Sequence, residues 1–279
     1  MNVVVVTDSA ASLPPAVRDA AGVRVVPLRL VVGEDDIPDG TLPLPAVIAR
    51  LGDGVSTSAP APGEFLTAIE QAESDGAAGV VVITVSSTMS AAHKSAWMAS
   101  SMADGDVAVV DSGTAAGGQG LVALAAAHTA SLGGGVRDVV AVAERVADEV
   151  RVVASVPTLE YLAKSGRVPG IAEWAGRMLG IQPLFEFRRA KVNRLVPAQS
   201  RQAALDRIFR RWRSSMPPHA SHLHVAALHA EAQQEAEELL ARVAAEVAPK
   251  EQFVAEFSTV MVAHTGPGLV GLAWYWERA

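Results

Sequence analysis

Three short apolar runs constrain this chain more than anything else in it. Val3-Val4-Val5-Val6 leads into Thr7-Asp8-Ser9, Val80-Val81-Val82-Ile83 into Thr84, Ser86 and Ser87, and Val107-Ala108-Val109-Val110 into Asp111-Ser112. Continuous apolar runs of this length suit strands buried on both faces, which means a parallel sheet covered by helices. Helical stretches near 62–74, 89–101 and 116–131 separate or follow the runs, and a further strand near 23–32 precedes a Pro- and Asp-rich loop through residue 43. The pattern predicts a doubly wound α/β domain. Ligands of such sheets bind beyond the carboxyl ends of the strands, where strand order reverses. All three runs end there in Ser, Thr or Asp.

The second half differs. A helix at 136–149 carries Val139, Val142 and Val146 at helical spacing. Strands are expected at 151–155, 182–187, 191–197, 222–228, 252–257 and 268–276, and helices near 157–164, 170–179, 201–214, 231–247 and 258–264. Arg188-Arg189-Ala190 reads as a hairpin turn, so this sheet is mixed. With 279 residues, two domains are expected, 1–150 and 151–279. A hydrophobic fraction of 50% supports a sizeable core. The chain has no cysteine, which excludes thiolate metal sites and a cysteine nucleophile and fits a reducing cytosol. No apolar segment reaches the ~20 residues of a membrane span, and no basic region precedes the first strand, so a cytoplasmic location is expected. A net charge of −7 argues against general nucleic-acid binding.

Three segments carry candidate chemistry. In Ser56-Thr57-Ser58-Ala59-Pro60-Ala61-Pro62 the hydroxyls either cap the following helix or form an anion site. Ser86-Ser87-Thr88-Met89-Ser90-Ala91-Ala92-His93 follows a buried strand and admits the same two readings. His264-Thr265-Gly266-Pro267-Gly268 closes a helix, and its imidazole is either a helix C-cap or a donor to a ligand oxygen. Gly117-Gly118-Gln119-Gly120 lacks the dinucleotide-binding spacing and reads as close helix packing. No P-loop, zinc-protease or nucleophile-elbow motif occurs, and the histidines show no metal-ligand spacing. Nine basic residues lie between Arg188 and Arg213, where the helix from Arg201 would bury Leu205, Ile208, Phe209 and Trp212 and turn its arginines outward. That face is either solvated or docks an acidic partner. The glutamates of the later helix, Glu235 among them, read as plain surface.

In order, VVVVTDSAASLP, STSAPAPGEF, VSSTMSAAHKSA, VAVVDSGTAAGGQG, LEYLAKSGRVP, IQPLFEF, SRQAALDR and HTGPGLVGLAW resemble the DegV family of bacterial fatty-acid-binding proteins across nearly the whole chain. The resemblance implies a two-domain α/β fold with a long-chain fatty acid in a tunnel between the domains. It implies that the chain is not itself an enzyme, needs no cofactor, and presents the acyl carboxylate to a separate ATP-dependent fatty acid kinase subunit, with transient membrane contact. The family's carboxylate contacts fall on Thr57, Ser58, Ser90 and His264, with neighbouring Ala91 and Thr265. Its arginines that face phosphate or the kinase fall on Arg167 and Arg201. The sequence departs from the family at Ala59 and Ala61, where Gln and Ser are usual, and at Ala91-Ala92-His93, where Gly-Thr-Tyr is usual, so Ala91 must tolerate a glycine's backbone. The inventory of hydroxyls and one imidazole suits a lone carboxylate. The competing reading is an enzyme for a small phosphorylated or carboxylated metabolite, with His264 as acid or base. For the tail, Met178, Leu179, Ile181 and Leu184 are the expected lining of an apolar tunnel about 20 Å long.

Overall fold

The structure is a computed structural model. It describes residues 2–278 except 169, 172, 173, 175–179 and 220. Most of the expected helix at 170–179, with Met178 and Leu179, therefore lies outside the described residues.

The first half runs β1 (Val3–Asp8), α1 (Pro15–Ala20), β2 (Arg24–Val26), β3 (Arg29–Val32), β4 (Asp35–Pro38), α2 (Leu44–Ile48), β5 (Ser56–Ser58), α3 (Pro62–Ser74), β6 (Gly79–Thr84), α4 (Ala92–Ser100), β7 (Val107–Asp111), α5 (Gly117–Ser131) and α6 (Val136–Glu149). The three apolar runs become neighbouring strands of a parallel sheet of order β2-β1-β6-β7: every residue of the central β6 is buried, while β7, at the edge, buries only Val110 fully and so departs from the expected burial on both faces. Strand order reverses between β1 and β6, which is where such a sheet binds ligands. Asp8 bridges this point: its carboxylate accepts from the Val85 and Ala10 backbone N–H groups at 2.8 and 3.0 Å and from Gln119 Nε2 at 3.0 Å. Burial nevertheless raises its pKa to about 6.

The strand expected at 23–32 is two strands in two sheets. Pro27, which has no N–H to give to a ladder, lies between them. β2 joins the parallel sheet, whereas β3 pairs antiparallel with β4 and β5 in a small third sheet that the sequence pattern did not suggest.

The second half runs β8 (Arg151–Ser155), α7 (Glu160–Ser165), β9 (Gln182–Arg188), β10 (Lys191–Ala198), α8 (Arg201–Arg213), β11 (Ser221–His229), α9 (Gln233–Glu246), β12 (Glu251–Glu256), α10 (Thr259–Thr265) and β13 (Val270–Arg278). Its sheet is mixed, order β10-β9-β8-β13-β11-β12, with β11 and β12 the parallel pair. The hairpin between β9 and β10 turns on Arg189 and Ala190, both at positive φ (49° and 58°). Side chains alternate across this sheet. Val153, Leu184, Val225, Leu272 and Trp274 pack under α8 and α9, while Val152, Ala154, Phe185, Phe187 and Leu228 face the first half. α5 lies between the two sheets and is buried almost all round. Its glycines explain the close approach: a Cβ on Gly117 would come within 2.7 Å of Leu228, and one on Gly118 within 2.6 Å of Val152.

Candidate functional site

A cavity of about 320 Å³ opens between the halves at the carboxyl ends of β1, β6 and β7. Ala10, Val85, Ala115 and Ala116 bound it on the parallel-sheet side, and Val152, Ala154, Phe185, Phe187 and Leu228 on the mixed-sheet side. Met89, Leu28, Val192, Phe257 and Met261 complete a wall that is mostly apolar. The polar side chains on this wall belong to Thr57, Ser58, Ser90, Arg167, His264 and Thr265.

Each is held by identifiable local structure. Thr57 is the middle residue of β5, opposite the buried Leu30 of β3. The hydroxyls of this segment do not cap α3. Its N-cap is Ala61, whose N–H donates to Glu64 at 2.8 Å. Thr57 Oγ1 instead lies 2.8 Å from His264 Nε2, joining residues far apart in sequence by a hydrogen bond. Ser58 is exposed at the cavity edge. Ser90 Oγ accepts from the Ala92 N–H at 3.2 Å and so fixes the loop ahead of α4. Ala91 sits at φ −76°, ψ 1°, an ordinary conformation for alanine, so the expected glycine-like backbone is absent there. The strain lies at Ala116, on the cavity wall, with φ 53° and ψ −145°.

His264 belongs to the last turn of α10. Burial, and then the charge of Arg167, lower its pKa to about 4, so the imidazole is neutral at pH 7. The chain leaves α10 through Gly266 at φ 71°, where a Cβ would strike the Tyr161 ring at 2.2 Å. Glycine is thus required twice, by conformation and by space. Thr265 Oγ1 donates to the carbonyls of Met261 and Gly266, both at 3.2 Å. Arg167 follows Gly166, the left-handed residue that ends α7. Its guanidinium donates to Ser165 O at 2.6 Å and reaches Thr57 Oγ1 at 3.5 Å. Arg167 is the permanently charged group among the described lining residues. The site can therefore take one anionic oxygen pair at its polar end and an apolar body behind it.

Arg201 does not join this group. It opens α8 on the opposite face of the mixed sheet, where its guanidinium forks onto both carboxylate oxygens of Glu235. Glu235 is thus an ion-pair partner and not plain surface, as is Glu246, 3.2 Å from Arg213. Leu184 is also on that far face, fully buried under α8, so the expected lining role passes to Phe185 and Phe187. Ile181 lies outside the lining as well. The signal was legible in Leu184-Phe185-Glu186-Phe187. Glu186 shares the Leu184 face, and a carboxylate there pairs with Arg211 at 2.6 Å and does not line an apolar cavity.

A family model described as "Uncharacterised protein, DegV family" matches residues 2–277. The chain belongs to the DegV family. A DegV domain-containing protein of Streptomyces coelicolor is 32% identical over 277 residues, covering 97% of each chain. Among solved structures, a DegV family protein from Thermus thermophilus described for its fatty acid binding matches with a TM-score of 0.90 at 28% identity, over 99% of this chain and 100% of its own. DegV of Bacillus subtilis, described as a fatty acid binding protein, matches with a TM-score of 0.85 at 26% identity, over 99% and 100%. The α/β architecture with one parallel and one mixed sheet is therefore the DegV fold. No helix among the described residues is long and apolar enough to cross a membrane.

Proposed function

We propose that this DegV chain binds one long-chain fatty acid in the cavity between residues 1–150 and 151–279, taken as two domains, and presents the carboxylate to a separate ATP-dependent kinase subunit. The observation that carries the reading is the meeting of Thr57, His264 and Arg167 on a cavity wall that, apart from these and Ser58, Ser90 and Thr265, is built of aliphatic, aromatic and methionine side chains. Each buried methylene contributes roughly 0.8 kcal/mol, so the tail supplies most of the affinity and the polar groups set orientation. A neutral His264, a Thr57 hydroxyl and the Arg167 cation suit a single ionised carboxylate. The fatty acids bound by DegV relatives in solved structures support the same ligand class.

In this reading the chain performs no covalent step. Acyl phosphate forms when a partner carrying ATP reaches the carboxylate, with Arg167 at the cavity facing that partner and Arg201, held by Glu235 on the far face of the mixed sheet, belonging to the surface the partner docks on. The protein works in the cytoplasm and touches the membrane in passing to exchange its ligand. The test is solvent extraction of the purified chain followed by mass spectrometry, then assay with ATP with and without the kinase subunit. One fatty acid per chain, and acyl phosphate only when both proteins are present, is the expected result. An empty cavity, or a small polar metabolite in it, would replace this reading by that of a metabolite enzyme.

A further inference from the structure

The Asp8-Ser9 pair at the end of β1 touches no part of the polar cluster, yet Ser9 starts a chain of hydrogen bonds that ends on the first turn of α10, the helix whose other end carries His264 and Thr265. Asp8 locks the end of β1 to the residue after β6 and to α5. One residue on, Ser9 Oγ accepts from the Leu28 N–H at 2.9 Å and donates to Asp39 Oδ2 at 2.6 Å. The Asp39 N–H donates to Leu28 O at 2.7 Å, closing a small ring that fixes the aspartate on the first half. Its other oxygen, Oδ1, accepts from Thr259 Oγ1 at 2.7 Å and from the Val260 N–H at 3.1 Å. Those two residues open α10, whose own cap is Ser258. His264 and Thr265 end the same helix, and Val260 and Met261 line the cavity between.

A helix of seven residues has little stability of its own and takes its place from what holds its ends. Its first N–H groups have no intrahelical partner. Asp39 supplies one across the gap between the halves. We propose that Asp39 is a positioning residue that fixes α10 to the first half and thereby sets the contact between Thr57 and His264 at the polar end of the cavity. The ligand part of this proposal rests on the fatty acid reading above; the part concerning the imidazole does not.

The experiment uses the full chain as wild type, D39A, D39N and T259V. Imidazole ¹⁵N spectra of the unliganded proteins, with the His264 signals assigned by H264Q, report the Thr57–His264 contact. Binding of palmitate and of 1-hexadecanol separates headgroup recognition from tail burial. D39A should move the His264 ring-nitrogen signals and weaken palmitate about tenfold while leaving hexadecanol within about twofold. D39N keeps an oxygen for Thr259 and Val260 and should restore most of both readouts. If D39A does not fold, T259V decides, with the same shift in the same direction and a loss of about threefold. A D39A or T259V protein that melts earlier but keeps the wild-type His264 signals and the wild-type palmitate-to-hexadecanol ratio would reduce Asp39 to a stabilising residue and overturn the proposal. If palmitate fails to bind wild type while the His264 signals still move in D39A, positioning stands and the fatty acid reading falls.

Discussion

The most direct probe of the polar cluster is pH. His264 titrates at about 4 in the folded chain against 6.5 for a free imidazole, because it is buried and faces Arg167. Between these values the unfolded chain holds a proton that the folded chain does not, so stability rises with pH across this window. The contribution is fully present above pH 6.5 and is lost as pH falls through 4. A difference of this size corresponds to about 3 kcal/mol. Asp8 acts in the opposite sense. Its folded pKa of about 6 lies above the 3.8 of a free aspartate, so it favours the folded state below 3.8 and loses that contribution as pH rises through 6. The two effects overlap and largely cancel in wild type, which is why a variant is needed. Urea unfolding of wild type and H264Q from pH 4 to pH 7 separates them, since Asp8 is common to both. The stability gap should shift by about 3 kcal/mol in favour of H264Q as the pH is lowered. A gap constant across that range would refute a neutral, buried His264 and with it the electrostatic account of the site.

Other outcomes follow from particular contacts. F187A should enlarge the cavity and shift the preferred acyl chain, read by competition among fatty acids. L184A, one face away, should cost about 2–5 kcal/mol in urea unfolding and leave that preference unchanged. Gly266→Ala should lower the melting temperature and abolish retention of co-purified lipid, because the new methyl group meets the Tyr161 ring at 2.2 Å. R201A should leave lipid binding intact and lower acyl phosphate formation with the kinase subunit; equal kinase output would remove Arg201 from the partner contact.

Much of this architecture was legible because it is written in local pattern. The valine runs of β1 and β6 are buried as their continuity demands, whereas β7, equally continuous, is the sheet's edge strand and buries only Val110 fully, and the glycines of α5 pack against β8 and β11 as a non-nucleotide Gly-rich helix start would. Misread features depend on pairing that periodicity does not encode. Ser56-Thr57-Ser58 looks like a helix cap, and only its ladder with β3 makes it a strand. Leu184 and Phe185 are equally apolar, and their faces differ by one residue of register. Arg201 reads as one of the outward-turned arginines of its helix because its partner Glu235 lies on another helix. Asp39 sat in a loop read only as Pro- and Asp-rich, and its importance comes from Thr259, distant in sequence.

The charge balance of the cavity also bears on what leaves it. Arg167 is the permanent charge among the described lining residues, and the depressed pKa of His264 means that the imidazole does not add a second. One cation with neutral donors matches one carboxylate, and a fatty alcohol or ester would leave the arginine unanswered. Phosphorylation of the bound acid replaces a carboxylate of charge −1 by an acyl phosphate whose charge approaches −2, and adds acceptor oxygens. On the proposed function, this site alone offers too little positive charge for the product. The phosphoryl group must then be met by positive charge from outside the cavity, or His264 must take up a proton from solvent, which an adjacent anion favours by raising its pKa. The same polar end that holds the acid well thus holds the acyl phosphate less well, and that difference favours passing the product onward.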